Sequence, residues 1–284
     1  MFRHLGLCAL SSLFLLAPLT AKATEYGDSQ FSPSVGQAGK DVIWVPTPDQ
    51  MVTAMLNAAN VTSKDLVYDL GAGDGKIAIA AARQFGATAV GIEYDEKMAA
   101  LATRNVARAA VQNKVTIIRG DIFKEDFSKA SVLTLYLLPD LNHRLRPTIL
   151  KMKPGTRVVS HSFDMAEWEP DQRIETESAS GYMWIVPASV AGNWTLDVAG
   201  FSQPIELQLS QSFQIVNGSM MLDGKKLMIE TGRMRGDQLR FSVKRPSGQV
   251  LSFEGRVAGG KLSGRMQPMS DPLNVSGKLV KAAR

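Results

Sequence analysis

The feature that most constrains this chain is the glycine-rich turn Asp-Leu-Gly-Ala-Gly-Asp-Gly at residues 69–75. The apolar run at 66–70 predicts a buried strand before the turn, and the alanine-rich run at 77–82 predicts a helix after it. Glycines at alternate positions let the backbone turn sharply and approach a ligand closely, because no Cβ stands in the way. The first turn of the helix then offers free N–H groups and the positive end of its dipole to a negatively charged group.

The carboxylate of Asp69 narrows the choice of ligand. Dinucleotide-binding turns follow Gly-x-Gly-x-x-Gly, whereas this turn follows Asp-x-Gly-x-Gly-x-Gly and lacks the lysine-serine pair of phosphate-binding loops. A carboxylate at the strand end would repel a pyrophosphate but suits a ligand with an amino or sulfonium group. S-adenosyl-L-methionine (AdoMet) carries both groups, together with a carboxylate, a ribose and an adenine. The alternative is an ordinary strand-to-helix turn whose glycines serve packing only.

Acidic residues recur where the next two predicted strands end. The strand predicted at 88–92 ends on Glu93, and a carboxylate in this place usually accepts from ribose hydroxyls. The strand predicted at 115–119 is followed by Asp121, which can accept from an adenine amino group, and by Ile122, which can cover the ring. Because ligands bind parallel sheets at the carboxyl ends of the strands, we expect these residues to line one site.

Strands and helices alternate through the first half of the chain. Helices are predicted at 96–110 and 141–152, and further strands at 132–138 and 156–160. This alternation predicts an α/β fold with a doubly wound, Rossmann-like parallel sheet. A segment with two prolines at 41–48 precedes the first predicted helix, and it could lie across the ligand site or cover the sheet edge.

The pattern changes at residue 188, where helical periodicity gives way to short alternating runs separated by glycine turns. These runs predict eight strands, at 194–198, 205–210, 213–221, 226–235, 239–244, 250–257, 261–266 and 273–280. Strands at this spacing predict an all-β antiparallel domain, closed as a small barrel or folded as a sandwich. A ligand-holding role and a structural role both stay open for it.

The amino terminus carries a targeting signal. Arg3 precedes an apolar run at 5–19, and Ala-Lys-Ala at 21–23 is a cleavage site, so residues 1–23 are predicted to be a signal peptide of a periplasmic or secreted protein. An uncleaved membrane anchor is the alternative. Residues 24–40 are predicted to be a flexible linker, 41–187 the α/β domain and 188–284 the β-domain. Cleavage would remove Cys8, the only cysteine, and no metal site is expected.

Charge is unevenly distributed between the two domains. Residues 188–284 carry 13 Lys and Arg against 7 Asp and Glu, whereas residues 24–187 carry 17 against 20. A basic domain beside a mildly acidic one indicates an anionic partner for the former, such as a component of the cell envelope, or simply a solvated surface. No nucleic-acid partner is expected, and no transmembrane span is expected in the mature chain.

Residues 41–187 resemble class I AdoMet-dependent methyltransferases. The resemblance rests on Val-Pro-Thr-Pro at 45–48, Tyr-Asp-Leu-Gly-Ala-Gly-Asp-Gly-Lys at 68–76 and Gly-Asp-Ile-Phe at 120–123. With Leu-Tyr-Leu-Leu-Pro at 135–139 and Arg-Val-Val-Ser at 157–160, the chain is similar to bacterial relatives of the mitochondrial lysine methyltransferases that act on the ATP-synthase c-subunit and related carriers. The resemblance implies that AdoMet is held by eight residues: Asp69, Gly71, Gly73, Asp74, Gly75, Glu93, Asp121 and Ile122.

A protein of this kind would transfer a methyl group to a protein lysine or another amine. The sulfonium is a good leaving group, so positioning and desolvation supply most of the catalysis. The acceptor lysine must lose its proton, and the candidates for accepting it near the end of the fourth strand are Tyr136, Asp140 and His143. The alternative is an exported methyltransferase-like protein whose β-domain binds an envelope component without catalysis. A dehydrogenase is disfavoured by the glycine spacing.

Cleavage of the signal peptide after Ala23 is testable. Because Arg3, the apolar run and the Ala-Lys-Ala site stand in the order that signal peptidase requires, the protein isolated from its host should begin at Thr24. N-terminal sequencing of the exported fraction measures this directly. A chain that begins at Met1 in the cytosolic fraction would contradict the prediction.

Overall fold

The computed structural model describes residues 26–267 and 273–282, so the predicted signal peptide lies outside the described residues. The α/β domain contains the helices α1 (Asp49–Ala58), α2 (Lys76–Phe85), α3 (Glu96–Arg108) and α4 (Pro139–Ile149). Its strands are β1 (Leu66–Leu70), β2 (Thr88–Glu93), β3 (Val115–Arg119), β4 (Val132–Leu135), β5 (Arg157–His161), β6 (Gln172–Glu175) and β7 (Ser180–Ile185). Within the described ranges, no helix is long and apolar enough to cross a membrane.

The seven strands form one mixed sheet in the order β3-β2-β1-β4-β5-β7-β6. The first five are parallel, as predicted, whereas β7 runs antiparallel to both β5 and β6. The chain reverses its direction of strand addition between β1 and β4, so the crevice at their carboxyl ends is where such a sheet binds ligands. The doubly wound fold is confirmed. The strands β6 and β7 were not predicted; β6 exposes most of its residues and shows no alternation.

Two apolar cores flank the sheet. On one face, Met51 and Met55 of α1 pack with the alanines of α2, which are small enough to let this helix lie close to the strands. On the other face, Leu141 and Leu145 of α4 pack with Trp184 of β7. Successive strand residues alternate between the two cores, as the two-residue period of a strand requires.

The β-domain is a closed antiparallel barrel, which decides between the two architectures that the sequence left open. Its strands are β8 (Gly192–Val198), β9 (Ile205–Ser212), β10 (Ile215–Leu222), β11 (Lys225–Arg235), β12 (Gln238–Lys244), β13 (Val250–Ala258), β14 (Lys261–Gln267) and β15 (Leu273–Ala282). Each of the eight predicted strands is present. The last strand, β15, pairs with the first, β8, and closes the barrel. Large side chains fill its interior, and Phe241 stacks on Phe253 with ring centroids 5.0 Å apart.

The end of β4 differs from the prediction in a way that matters for the site. The strand predicted at 132–138 ends at Leu135, and the helix predicted from 141 begins at Pro139. Leu138 precedes the helix in an extended conformation, and proline suits the first helical position because its missing N–H would have no partner there. Tyr136 therefore lies just beyond the carboxyl end of β4.

The segment at 26–48, which includes most of the predicted linker, makes specific contacts with the α/β domain. The Arg104 guanidinium on α3 donates to the Asp28 carboxylate at 2.6 Å and holds the pKa of that carboxyl well below its usual range. Backbone hydrogen bonds join Trp44 to the residues at 36–37 and fold the segment into a loop. The prediction of a flexible linker did not anticipate these contacts.

The barrel meets the α/β domain at the loop that connects β5 to β6. Phe213, in the β9–β10 turn, stacks on the fully buried Trp168 with ring centroids 6.2 Å apart. The Arg146 guanidinium of α4 lies 5.4 Å from the centroid of the same phenylalanine ring. Two polar contacts lie beside this cluster: Gln214 Nε2 donates to the Glu169 carbonyl at 2.7 Å, and Arg233 pairs with Asp171 at 3.0 Å.

The substitution Phe213→Ala tests whether this cluster joins the stabilities of the two domains. It should lower the free energy of unfolding of the α/β domain by about 2 kcal/mol, less than for a fully buried phenylalanine, because the ring is half-buried. Phe201→Ala is the matched control, since this phenylalanine packs only against the barrel core. Scanning calorimetry of the two variants should show the α/β transition lowered by the first alone. Equal effects of both would contradict the prediction.

Candidate active site

A cavity of about 260 Å³ lies at the carboxyl ends of β1 and β4. The glycine turn forms its floor, the residues beyond β4 form one wall, and the segment at 37–47 extends along its mouth. Of the two positions left open for residues 41–48, the structure therefore places them across the cavity. Most of the predicted cofactor residues are in its lining: Asp69, Gly71, Gly73, Asp74, Glu93, Asp121 and Ile122.

Asp69 is the most buried acid of the cavity, with 2% of its surface exposed. The Thr134 hydroxyl of β4 donates to its Oδ1 at 2.7 Å, whereas its Oδ2 is buried and has no hydrogen-bond partner among the described residues. Burial, the largest effect, and the nearby carboxylates of Asp74 and Glu93 together raise the pKa of Asp69 to about 7, against the opposing effect of the Thr134 hydrogen bond. A cationic donor is the partner that this oxygen lacks.

The glycine turn needs its glycines for two different reasons. Gly73 has a φ of +54°, and a Cβ on it would lie 2.7 Å from Nε1 of Trp44, so a side chain here would collide with the segment that crosses the cavity. Gly75 has a φ of +81° and precedes α2, where a Cβ would lie 3.2 Å from that of Ala102 on α3. Gly75 does not line the cavity. It was predicted to bind the cofactor, and the structure places it directly before α2, beside Ala102 of α3.

Glu93 connects the end of β2 to the glycine turn. Its Oε2 accepts from the Gly73 backbone N–H and its Oε1 from that of Asp95, each at 2.8 Å. Burial raises the pKa of Glu93, partly offset by these two hydrogen bonds. Asp74 accepts from the Lys76 backbone N–H at 3.1 Å at the start of α2, and burial raises its pKa as well.

Asp121 is paired with a lysine that the sequence analysis did not identify. Lys40 Nζ lies 3.0 Å from Oδ2 of Asp121 and 4.6 Å from the ring centroid of Tyr94. The Phe123 backbone N–H and the Lys40 ammonium together hold the pKa of Asp121 below its usual range. The two residues are 81 positions apart, so no local pattern could have connected them.

Tyr136 alone of the three proposed proton acceptors lines the cavity. Its ring lies against the imidazole of His161, with centroids 3.9 Å apart, and against Phe163, which also lines the cavity. Asp140 is exposed at the start of α4, and His143 lies one turn further along this helix. Neither Asp140 nor His143 belongs to the lining.

His161 lies behind the cavity and was not among the predicted site residues. It ends β5, has 4% of its surface exposed, and its Nδ1 lies 3.2 Å from the Thr47 hydroxyl. Burial lowers the pKa of His161 to about 4, so its imidazole is neutral at physiological pH. His161 could have been identified from its position at the carboxyl end of a strand next to β4. In the described part of the chain, no cluster of three or more His, Cys, Asp or Glu could hold a metal ion.

Comparison with known proteins identifies the family to which this chain belongs. Residues 69–172 match the family model of the ANTKMT methyltransferase domain. A protein-lysine N-methyltransferase from Saccharolobus islandicus (strain REY15A) is 42% identical over 141 residues, which cover 49% of this chain and 88% of that protein. The chain belongs to the class I AdoMet-dependent methyltransferases. AdoMet is therefore its methyl donor.

Two further relatives of the methyltransferase are named for different methyl acceptors, a protein lysine and RNA. The lysine N-methyltransferase of the ATP-synthase C-subunit from Mus musculus is 29% identical over 129 residues, which cover 45% of this chain and 51% of that protein. The crystal structure of an RNA methyltransferase from Salinibacter ruber, in complex with S-adenosyl-L-homocysteine, is 46% identical with a TM-score of 0.51. The aligned region covers 51% of this chain and 96% of the RNA methyltransferase chain. None of these relatives supports the non-catalytic alternative.

The cavity of the methyltransferase fits AdoMet on two observations from its own residues. The buried Oδ2 of Asp69 has no partner among the described residues and can accept from an ammonium group. The floor beside it lacks side chains at Gly71 and Gly73, which both line the cavity, so a ligand can approach the backbone of the turn closely.

Asp69→Asn tests the buried carboxylate of the methyltransferase. Its pKa is about 7 in the folded protein against an ordinary 3.8, so the folded state holds this proton more tightly than the unfolded chain does. The free energy of unfolding should therefore fall between about pH 4 and pH 7, by up to about 1.4 kcal/mol per pH unit, and stay level above.

Asparagine cannot ionise but still accepts from Thr134, so the variant should lack this part of the decline. Denaturant unfolding of both proteins without AdoMet, at intervals from pH 4 to pH 8, measures the difference. Parallel pH profiles of the wild type and the variant would contradict the shifted pKa.

Proposed function

We propose that this enzyme N-methylates the side chain of a protein lysine. The observation that carries the proposal is the 42% identity to a protein-lysine N-methyltransferase of which the match covers 88%. The match of residues 69–172 to the ANTKMT methyltransferase domain supports the same acceptor. Export of the chain, inferred from residues 1–23, is part of this proposal. The acceptor must therefore be a protein that the exported enzyme can reach.

The mouth of the cavity supports a macromolecular acceptor. Three apolar side chains of its lining are well exposed: Ile43 (57%), Tyr94 (52%) and Leu138 (42%). Exposed apolar residues around a cavity provide a surface that a protein segment can cover while one of its side chains enters. A small amine enclosed by the cavity would leave this surface in water.

The proposed cofactor contacts follow from the hydrogen-bonding capacity of the lining. AdoMet supplies an electrophilic methyl group on a sulfonium that leaves readily. In this proposal the free Oδ2 of Asp69 accepts from its ammonium, and Glu93, whose oxygens each keep a free lone pair, accepts from the ribose. Asp121 accepts from the adenine amino group and Ile122 covers the ring. Lys40 would exchange part of its contact with Asp121 for the ligand.

The acceptor lysine must arrive as a neutral amine, and the apolar part of the cavity lining favours this form. Apolar surroundings disfavour an ammonium, which therefore releases its proton to solvent more readily on entry. His161 is a poor base for this proton, since its pKa is about 4. We assign it instead to positioning Tyr136, whose ring lies 3.9 Å away and which would contact the amine.

The experiment is a transfer assay with radiolabelled AdoMet and fractions of the host proteome. The expected result is label in protein, released as methyllysine on acid hydrolysis. Tyr136→Phe should lower kcat by about tenfold or more with little change in the Kd for AdoMet, because it removes a contact to the acceptor only. Glu93→Gln is the converse variant and should raise the Kd for AdoMet about tenfold, because a charge-assisted hydrogen bond is weakened.

The RNA methyltransferase among the solved structures defines the competing outcome. Total RNA from the same host is offered in a parallel reaction at equal AdoMet. Label in RNA and none in protein would overturn the lysine proposal while leaving the methyltransferase assignment intact. An absence of AdoMet binding by calorimetry would overturn the assigned cofactor contacts as well.

A further inference from the structure

One end of the barrel carries a surface that the methyltransferase reaction does not use. We define the distal face as the outward side chains of Met221, Lys226, Met228, Lys244 and Val250, on β10 to β13. Met221 is paired across the strands with Lys226, and Lys244 with Val250, while Met228 lies opposite Ser219. We propose that the distal face binds the surface of an anionic phospholipid bilayer.

The distal face lies at the barrel end that points away from the α/β domain. The contacts between the domains involve the β9–β10 turn and the β11–β12 turn, at Phe213 and Gly236. β10 leads away from the first of these turns, and β11 returns to the second. The distal face sits beside the opposite turn, Asp223-Gly224, and is therefore free of the α/β domain.

The exposed apolar side chains of the distal face are unusual for a solvated barrel. Met228 exposes 62% of its surface, Val250 40% and Met221 38%. The outward residues of an isolated barrel are normally polar, because the alternation of a strand sends its apolar residues inward. Methionine is flexible and unbranched, so it can enter a soft apolar layer without a shaped pocket.

Positive charge surrounds these apolar side chains. Lys225, Lys226 and Lys244 form no ion pair among the described residues, whereas Arg245 pairs with Asp223 at 2.9 Å. Two other outward acids border the face: Glu206 on β9, next in register to Met221, and Glu230 on β11, one row closer to the α/β domain. The three lysines outnumber these two acids and attract anionic headgroups at a membrane surface.

The combination favours a bilayer over an acidic protein. Lysines beside exposed methionines can keep their ammonium groups among headgroups while the apolar side chains enter the acyl boundary. The distal face is the outer face of adjacent barrel strands, and none of its residues lines the active-site cavity or the pocket beside the β8–β9 loop. A bilayer needs no shape complementarity, whereas a protein partner of comparable affinity does.

The test is vesicle co-flotation of the chain from residue 24 onward, which keeps every described residue and lacks the apolar run at 5–19. Vesicles of phosphatidylcholine with 30% phosphatidylglycerol, roughly the anionic content that gives polybasic surfaces their effect, are compared with pure phosphatidylcholine. Binding should require the anionic lipid and weaken with salt. Lys226→Glu combined with Lys244→Glu should reduce it at least about tenfold, as expected from reversing two such charges.

Lys151→Glu combined with Lys153→Glu is the matched control. Both lysines are exposed on the α/β domain and form no ion pair in the described residues, and the double variant makes the same change in net charge. It should keep vesicle binding within about twofold, because the local charge of the distal face is intact. Equal losses in the two double variants would overturn the proposal, since net charge alone would then explain binding.

Insertion of the apolar side chains has its own readout. The chain from residue 24 has no cysteine, so Met228→Cys carries a single polarity-sensitive fluorophore, and Val280→Cys, at a position with similar exposure of 63%, is its control. Vesicles should shift the emission of the first label to the blue and leave the second unchanged. A shift of both labels, a shift of neither, or the same shift with soluble polyglutamate would overturn bilayer binding by this face.

Discussion

The carboxylate of Asp69 sits where β1 runs between β2 and β4, with 2% of the residue's surface exposed, and among the described residues it accepts one hydrogen bond, from Thr134. A buried acid with one free oxygen is costly for the folded protein unless it is protonated or meets a cation. The remainder of the site leaves room for such a cation beside Asp69. The glycine turn leaves space beside the acid, and Glu93 holds that turn through the Gly73 N–H. Stability and cofactor affinity are thus opposing demands on one residue.

Much of the fold could be predicted from the sequence because its signals are local. The glycine turn, the strand ends at Glu93 and Asp121 and the eight alternating runs after residue 188 each lie within a few residues of chain, and the structure has all of them where the periodicity indicates. The strand β6 was missed because it is a short, exposed edge strand, whose residues need no apolar alternation. Gly75, predicted to bind the cofactor, lies outside the cavity lining, and a glycine that admits a ligand looks the same in sequence as one that admits a neighbouring helix.

The site was harder to predict wherever it depends on contacts between distant residues. Lys40 meets Asp121 across 81 positions, and Thr47 meets His161 across 114. Both contacts depend on the segment at 26–48 lying over the cavity. No periodic pattern in the sequence predicts the course of this segment. Asp140 and His143 were chosen for their chemistry and their closeness to Tyr136 in sequence, but the helix that begins at Pro139 lines the cavity with Leu141 and with neither of these two residues.

The order of strands along the chain sets an order of assembly. Every strand of the sheet lies before residue 186, so a ribosome has delivered the whole sheet before the first barrel strand is complete. The barrel, in contrast, closes only when β15 reaches β8, which precedes it by some 80 residues. Pairings between distant strands form slowly, since the intervening chain must be ordered first. Until the β9–β10 turn is in place, Trp168 lacks its stacking partner Phe213. A partly folded chain that exposes such an aromatic surface is prone to aggregate.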